Sequence, residues 1–312
     1  MKNKQRKVYG IGETIYDIIF KDGKPVTGHP GGSTFNCMIS LGRCGVNGAF
    51  ISETGKDQIG DLIIKFLEDN NLSGKYVNQF PDGKSALALA FLDENNDAVY
   101  DFYKDYPNQR LELELPQLTK DDILVFGSFF ALNEKVRPIV KKLIEQAYEA
   151  GAILYYDPNY RKGHVVNRDV LMETLIENFK CATIIRASDE DFANVYPNLS
   201  LDKVYKELSQ YCPNLICTAN KENVALYTKE FKTSYPVPQI EALSTVGAGD
   251  SFNAGFVYSL VENNIKKEDI PNLSESTWAK LIQSAISFSS TVCMSYENYV
   301  SKEFAENLKL LR

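Results

Sequence analysis

Short apolar runs alternate with longer stretches in which apolar residues recur every three or four positions. This is the pattern of strands alternating with amphipathic helices, and it predicts βα units building a largely parallel sheet. The strand-like runs are Lys7–Gly12, Ala49–Thr54, Ile123–Gly127, Ala152–Asp157, Thr183–Arg186 and Leu215–Thr218. The helical stretches are Thr34–Cys44, Ile59–Asn70, Glu134–Ala150, Leu201–Tyr211, Asp250–Asn263 and Ser276–Cys293. In Glu134–Ala150, Val136, Ile139, Val140, Leu143, Ile144 and Ala147 form one core-facing stripe and need no functional reading.

Two stretches break the alternation. Ile15–Phe20 runs into a turn at Lys21-Asp22-Gly23-Lys24-Pro25, and Ser85–Leu92 with Ala98–Tyr103 flank the polar segment 93–97 as a hairpin does. Strand-like material without intervening helices predicts a small sheet beside the main one. No repeat or long linker separates the two, so a single unit over residues 1–312 is expected, with the small sheet, residues 14–30 and 84–106, as an outgrowth.

The bulk numbers narrow the partners. A chain of 312 residues, 44% hydrophobic and 24% charged, has the length and composition of a soluble α/β protein with a substantial core. Its net charge of -7 argues against nucleic acid or an anionic membrane as partner. The six cysteines show no CxxC pair, and the two histidines no metal-ligand spacing, which argues against zinc chemistry and hydrolytic triads. The apolar run after the basic N-terminus is too short for a signal peptide, and no stretch approaches a membrane span, so a cytoplasmic location is expected.

The chemistry concentrates in Ser244-Thr245-Val246-Gly247-Ala248-Gly249-Asp250-Ser251-Phe252-Asn253-Ala254-Gly255. A glycine turn that opens a helix presents free N–H groups and the positive end of the helix dipole, an anion site. A carboxylate beside such a site makes little sense for phosphate binding alone. It makes sense as a base that takes a proton from a hydroxyl about to attack phosphorus. An N-capping Asp after a glycine loop is the bland alternative for Asp250. Gly10-Ile11-Gly12 invites a dinucleotide-binding reading, but the third glycine is absent and no helix signal follows.

Residues 244–255 resemble the C-terminal signature DTxGAGDxFxAG of the PfkB carbohydrate kinases, the ribokinase-like superfamily. Gly31-Gly32-Ser33-Thr34-Phe35-Asn36, Leu41-Gly42, Gly45 and Gly55-Lys56-Asp57-Gln58-Ile59-Gly60 resemble the N-terminal signature, and Asp157-Pro158-Asn159-Tyr160-Arg161 resembles the sugar-kinase DPNxR pattern. The resemblance spans essentially the whole chain. It implies a three-layer α/β/α fold with a central, mostly parallel sheet, and a small β-sheet lid that often forms a dimer contact.

The same resemblance implies roles. Asp250 is the base, and the amides of Gly247, Ala248 and Gly249 are the cradle for the transferring phosphoryl group. Asp17, Gly31, Gly32 and Asn36 hold the sugar, Lys104 stands where relatives carry Arg, and Arg161 contacts substrate or phosphate. Phe102 and Tyr103, on the second hairpin strand, either cover a sugar face or simply pack. Asn159, Ser188 and Asn220 belong to the nucleotide side, with Gly247 and Gly249. Asp191 acts on Mg²⁺ through water, although Ser188 with Asp191 equally suits a helix cap. The implied small molecules are ATP with Mg²⁺ and a sugar. K⁺ is in doubt because Ser244 replaces the usual Asp, and the nucleotide site is expected to be altered where Asn220 and Asn223 replace glycines. The opening Gly-x-Gly-Glu-x-x-x-Asp and the DPNYR element favour a fructokinase-like kinase. A 2-keto-3-deoxygluconate kinase, a ribokinase, a nucleoside kinase and a non-catalytic sugar or nucleotide sensor remain open.

Overall fold

The structure, a computed structural model, describes residues 6–93, 98–160, 168–219 and 222–310. Among the described residues nine strands form the main sheet: β1 (Val8–Ile11), β4 (Gly48–Gly55), β5 (Leu72–Phe80), β8 (Ile123–Gly127), β9 (Ile153–Asp157), β10 (Ile184–Ser188), β11 (Leu215–Ala219), β12 (Asn223–Tyr227) and β13 (Lys232–Pro236). Their order is β13-β12-β11-β10-β9-β8-β1-β4-β5. The pairings from β11 through to β5 are parallel, and β12 and β13 close one edge antiparallel. β5, β12 and β13 were not anticipated. Their alternating exposure gives weaker apolar runs than the buried central strands do.

Helices cover both faces and make three layers. One core packs α1 (Ser33–Arg43), α2 (Gln58–Asp69), α7 (Ala248–Glu262), α8 (Glu275–Cys293) and α9 (Lys302–Leu310) around Phe35, Phe50, Phe256, Trp278 and Phe288. The other packs α3 (Arg137–Glu149), α4 (Arg168–Cys181), α5 (Asp189–Val195) and α6 (Leu201–Leu208) around Phe126, Tyr156 and Phe179. α3 starts three residues later than the apolar stripe implies, because Pro138 takes a first-turn position where its missing N–H is harmless. α7 starts two residues before Asp250, so Ala248, Gly249 and Asp250 are its first turn.

A separate four-stranded sheet has the order β3-β2-β6-β7, from β2 (Ile15–Lys21), β3 (Lys24–Gly31), β6 (Lys84–Leu92) and β7 (Ala98–Asp105). The two-residue turn between β2 and β3 is Asp22-Gly23, both with positive φ (52° and 73°), as a tight hairpin turn requires. Register fixes which side chains share a face. His29, Asp17, Ala88 and Phe102 lie in one cross-strand row, and Pro30, Tyr16, Leu87 and Tyr103 in the next. Ala88 and its neighbours Ala86 and Ile15 are buried, which identifies the inner face. Among the described residues no helix is long and apolar enough to cross a membrane.

Candidate active site

The carboxyl ends of β1, β9, β10 and β11 carry Gly12, Asp157, Ser188 and Thr218 to one edge of the sheet, where open α/β sheets bind ligands. α7 begins on the same edge. Its N-cap, Gly247, is left-handed at φ 77°, and a Cβ there would lie 2.3 Å from the backbone oxygen of Asn298. Only glycine fits that turn. Gly249 and Asp250 take the second and third helical positions, whose N–H groups have no intrahelical acceptor. Ala248 differs from expectation: its N–H is engaged by the Thr245 carbonyl at 3.2 Å.

Asp250 is half-buried and held by α1. Ser33 Oγ donates to Oδ1 at 2.7 Å, and Asn36 Nδ2 donates to Oδ2 at 2.9 Å. Burial pushes its carboxyl up to about 6, with those two hydrogen bonds opposing the rise. The other end of the Asn36 amide, Oδ1, is buried and accepts nothing among the described residues. A Cβ on Gly31 would lie 2.5 Å from Asp17 Oδ2 and 3.9 Å from Asn36 Oδ1, so the bare glycine brings both groups to one point. Asp17 has no side-chain donor among the described residues, and burial raises it to about 7. Gly32, at φ 127°, caps α1 against the Glu13 carbonyl.

Other expected residues stand differently. Tyr103 belongs to the row of Tyr16 and Leu87, on the face opposite Asp17, so Phe102 takes the place expected of Tyr103. A period of two puts consecutive strand residues on opposite faces, and sequence alone does not say which of the two is inside. Ser188 and Asp191 form a full capping box, and the second oxygen of Asp191 accepts the Tyr160 N–H at 2.7 Å. Both carboxylate oxygens thus already serve the protein, and the residue ties the β9 loop to α5. Asn159, at φ 37°, follows Asp157 and donates its N–H to that carboxylate. Arg161 and Asn220 lie outside the described residues. Ser244 Oγ accepts the Val246 N–H in a local turn.

Several site residues had no sequence signal beyond lying near a motif. Glu13 accepts from Lys104 Nζ and Tyr106 Oη, both at 2.7 Å, joining the β1–β2 loop to the end of β7. Arg110 pairs with buried Glu53 and stacks on Tyr106 at 3.6 Å. Beneath α7, Arg186 Nη1 donates to Asp157 at 2.9 Å and Nη2 to Thr218 at 2.7 Å. Asn253 Nδ2 donates to Asp157 at 2.6 Å and accepts from Tyr155 Oη at 3.0 Å. A cavity of about 390 Å³ lies between Pro236 and Pro238 on one side and Gln283, Ile286 and Ser287 of α8 on the other. The irregular segment leaving it reaches the Gly247 turn, with Leu243 and Ser244 donating their N–H groups to the Cys293 carbonyl.

A carboxylate at a helix N-terminus, a second carboxylate near it and a cavity beside α8 make an arrangement suited to phosphoryl transfer. The sequence matches a family model, the pfkB family carbohydrate kinase, over residues 5–298. The chain belongs to that family. It is therefore a sugar phosphotransferase. Among curated relatives, probable fructokinase-4 of Arabidopsis thaliana is 28% identical over 84% of this chain and 82% of its own. Fructokinase-1 of Oryza sativa subsp. japonica is 24% identical over 88% and 90%. Of solved structures, aminoimidazole riboside kinase from Salmonella enterica, with aminoimidazole riboside and an ATP analogue, superposes at TM-score 0.83 (20% identity; 98% and 99% covered). Fructokinase from Vibrio cholerae O395, with fructose, ADP and calcium, gives 0.82 (18%; 94% of each). These likenesses show the three-layer fold with its extra small sheet.

Proposed function

We propose that this kinase transfers the γ-phosphoryl group of MgATP to a primary hydroxyl of fructose. The observation that carries the reading is Asp250, oriented by Ser33 and Asn36 at the N-terminus of α7 with its proton affinity raised toward neutrality. A base works best when its pKa lies near the working pH. Asp250 takes the hydroxyl proton as the oxygen attacks the γ-phosphorus. The bond to the leaving ADP breaks, and the free amides of the first turn meet the charge that develops. Asn36 Oδ1 and the Asp17 carboxylate accept sugar hydroxyls, which supplies the partners they lack. The cavity beside α8, lined by Pro236, Pro238 and Ile286 among polar residues, receives the nucleotide base. Mg²⁺ arrives with the ATP phosphates and neutralises their charge.

Two observations favour a neutral ketose over a sugar acid. The curated relatives named above are fructokinases. Lys104 and Arg110, at the β7 end of the site, are each committed to a carboxylate, Glu13 and Glu53, and neither is left for a substrate carboxylate. The four-stranded sheet is read as a lid on one kinase unit, its inner row of Asp17 and Phe102 over the sugar. Its outer face carries Phe20, Phe91, Val99 and Tyr103, with Val99 68% exposed, and is read as the contact of a homodimer. Without a carboxylate at Ser244, K⁺ is not required. We take the enzyme to act in the cytoplasm.

The test is ADP release from MgATP with fructose, ribose, 2-keto-3-deoxygluconate, glucose, adenosine or buffer, each in Na⁺ and in K⁺. Turnover with fructose above the others, equal in both salts, is expected. Turnover with 2-keto-3-deoxygluconate or adenosine instead would overturn the substrate, and a K⁺ requirement would overturn the reading of Ser244.

A further inference from the structure

The base end of the site contains a buried ion pair that the transfer chemistry above does not use. Arg186 on β10 and Asp157 at the end of β9 are 7% and 5% exposed, and their contact of 2.9 Å is shielded from solvent. A buried pair of this kind gives little net stability compared with apolar packing, so its presence calls for a reason. Its surroundings supply one. A Cβ on Gly249 would lie 3.0 and 3.2 Å from the two terminal nitrogens of Arg186, so the guanidinium lies directly against the backbone of the residue before the base. Gly249 has no positive φ, and its bare backbone answers to the arginine. One turn further along α7, Asn253 is gripped by Asp157 and Tyr155, and Phe252 lies 5.4 Å from the guanidinium. The Nε of Arg186 is buried and makes no bond among the described residues, so the group is not simply a saturated structural link.

We propose that Arg186, clamped by Asp157 and Thr218 beneath the first turn of α7, is a positioning residue of the transfer reaction. It seats the Gly249–Asp250 turn and supplies the fixed positive charge against which the base works. Asp157 sets how much of that charge Asp250 feels. Burial pushes the Asp157 carboxyl up, and the Arg186 charge together with the donors Arg186, Asn253 and the Asn159 N–H opposes that rise and favours the ionised form. The charged or titratable groups that bear on Asp250 are Cys37 from α1, Asp157 from β9 and Arg186 from β10, while Asp17 of β2, paired with His29 of β3, meets Asn36 across Gly31. Burial keeps the Cys37 thiol neutral and lowers His29, so neither adds a charge near neutral pH. Arg186 is then the cation among these groups, and Asp157 its immediate counter-ion.

A purely structural pair and a charge-setting pair predict different titrations. The probe is the ¹³C carboxyl resonance of Asp250 in the full chain labelled at aspartate, assigned by its loss in Asp250→Asn. The readout needs neither sugar nor ATP, so it stands or falls apart from the fructokinase reading. In Arg186→Gln the Asp250 midpoint is expected to rise by about half a pH unit or more, and in Asp157→Asn to fall by a similar amount. Arg186→Lys keeps the charge and is expected within about 0.3 unit of the wild type. With the sugar that the wild type phosphorylates, Arg186→Gln is expected to lose about tenfold to a hundredfold in kcat, with KM changed less than about threefold. Arg186→Lys recovers most of that loss. Shifts in the same direction in both neutralised variants, or no shift in either, would overturn the proposal. Should Arg186→Gln fail to fold, Asp157→Asn and Arg186→Lys decide it, because a structural pair predicts no downward shift in the former.

Discussion

The base end of the site and the four-stranded sheet above it hold their carboxylates in opposite ways. Asp250 accepts from two side chains, sits on a helix whose N-cap only glycine fits, and rests over the Asp157–Arg186 pair. Asp17, on β2, has no side-chain donor among the described residues. Its sheet has a small core cluster of Ile15, Ala86 and Ala88, with half-buried Tyr106 against it, while Val99, Phe102 and Tyr103 are all more than half exposed. The two ends share burial as the main cause of a raised carboxyl, but only at Asp250 does the protein oppose that rise with its own donors. A group that must move a proton at a defined distance is pre-organised by the protein. A group that must bind is left for the ligand to complete.

That contrast predicts where substitutions act. Asp250→Asn removes the proposed base while keeping shape, and turnover is expected to fall by about 10²–10⁴-fold. Steady-state kinetics at saturating sugar checks this, and undiminished kcat would place the base elsewhere. Asp17→Asn is expected to raise KM for the sugar about tenfold or more with kcat changed less than about threefold. The same reading fixes a pH dependence. Asp17 and Asp250 lie near 7 and 6 in the unliganded protein, and both act ionised, so kcat/KM should fall as the pH drops through about 7 to 6. A kcat/KM that stays level down to about pH 5 would take these ionised carboxylates out of the reaction. Val99→Asp, on the outer face, should leave kcat within about twofold and shift the protein from dimer to monomer in sedimentation velocity. A wild type that sediments as a monomer would remove the dimer reading.

What was legible beforehand follows from how local each constraint is. Asp250, Gly247 and Gly249 were readable because a glycine turn feeding a helix is a backbone demand made within a few residues. Gly31, Asn36 and Asp17 were readable through the order of motifs along the chain. Phe102 and Tyr103 were read together, since a strand of consecutive aromatics does not reveal its inward face until it is paired, and pairing puts Phe102 in the row of Asp17. Ser33 stood inside a quoted motif without a role, because its bond to Asp250 crosses between α1 and α7. Arg186 carried no signal at all. Its partners Asp157, Thr218 and Gly249 come from three other segments that only parallel pairing and the docking of α7 bring together.

The amino-acid order by itself determined the layered α/β architecture, the glycine turn that opens α7 and the carboxylate placed in its first turn. Each depends on local propensity, periodicity or backbone sterics, which act over a few residues. The tertiary structure decided how that carboxylate is used. Its donors, the cation beneath it, the carboxylate facing it and the side of β7 that looks inward all come from distant segments. Burial strengthens their electrostatics, and burial exists only once the sheet and helices have packed.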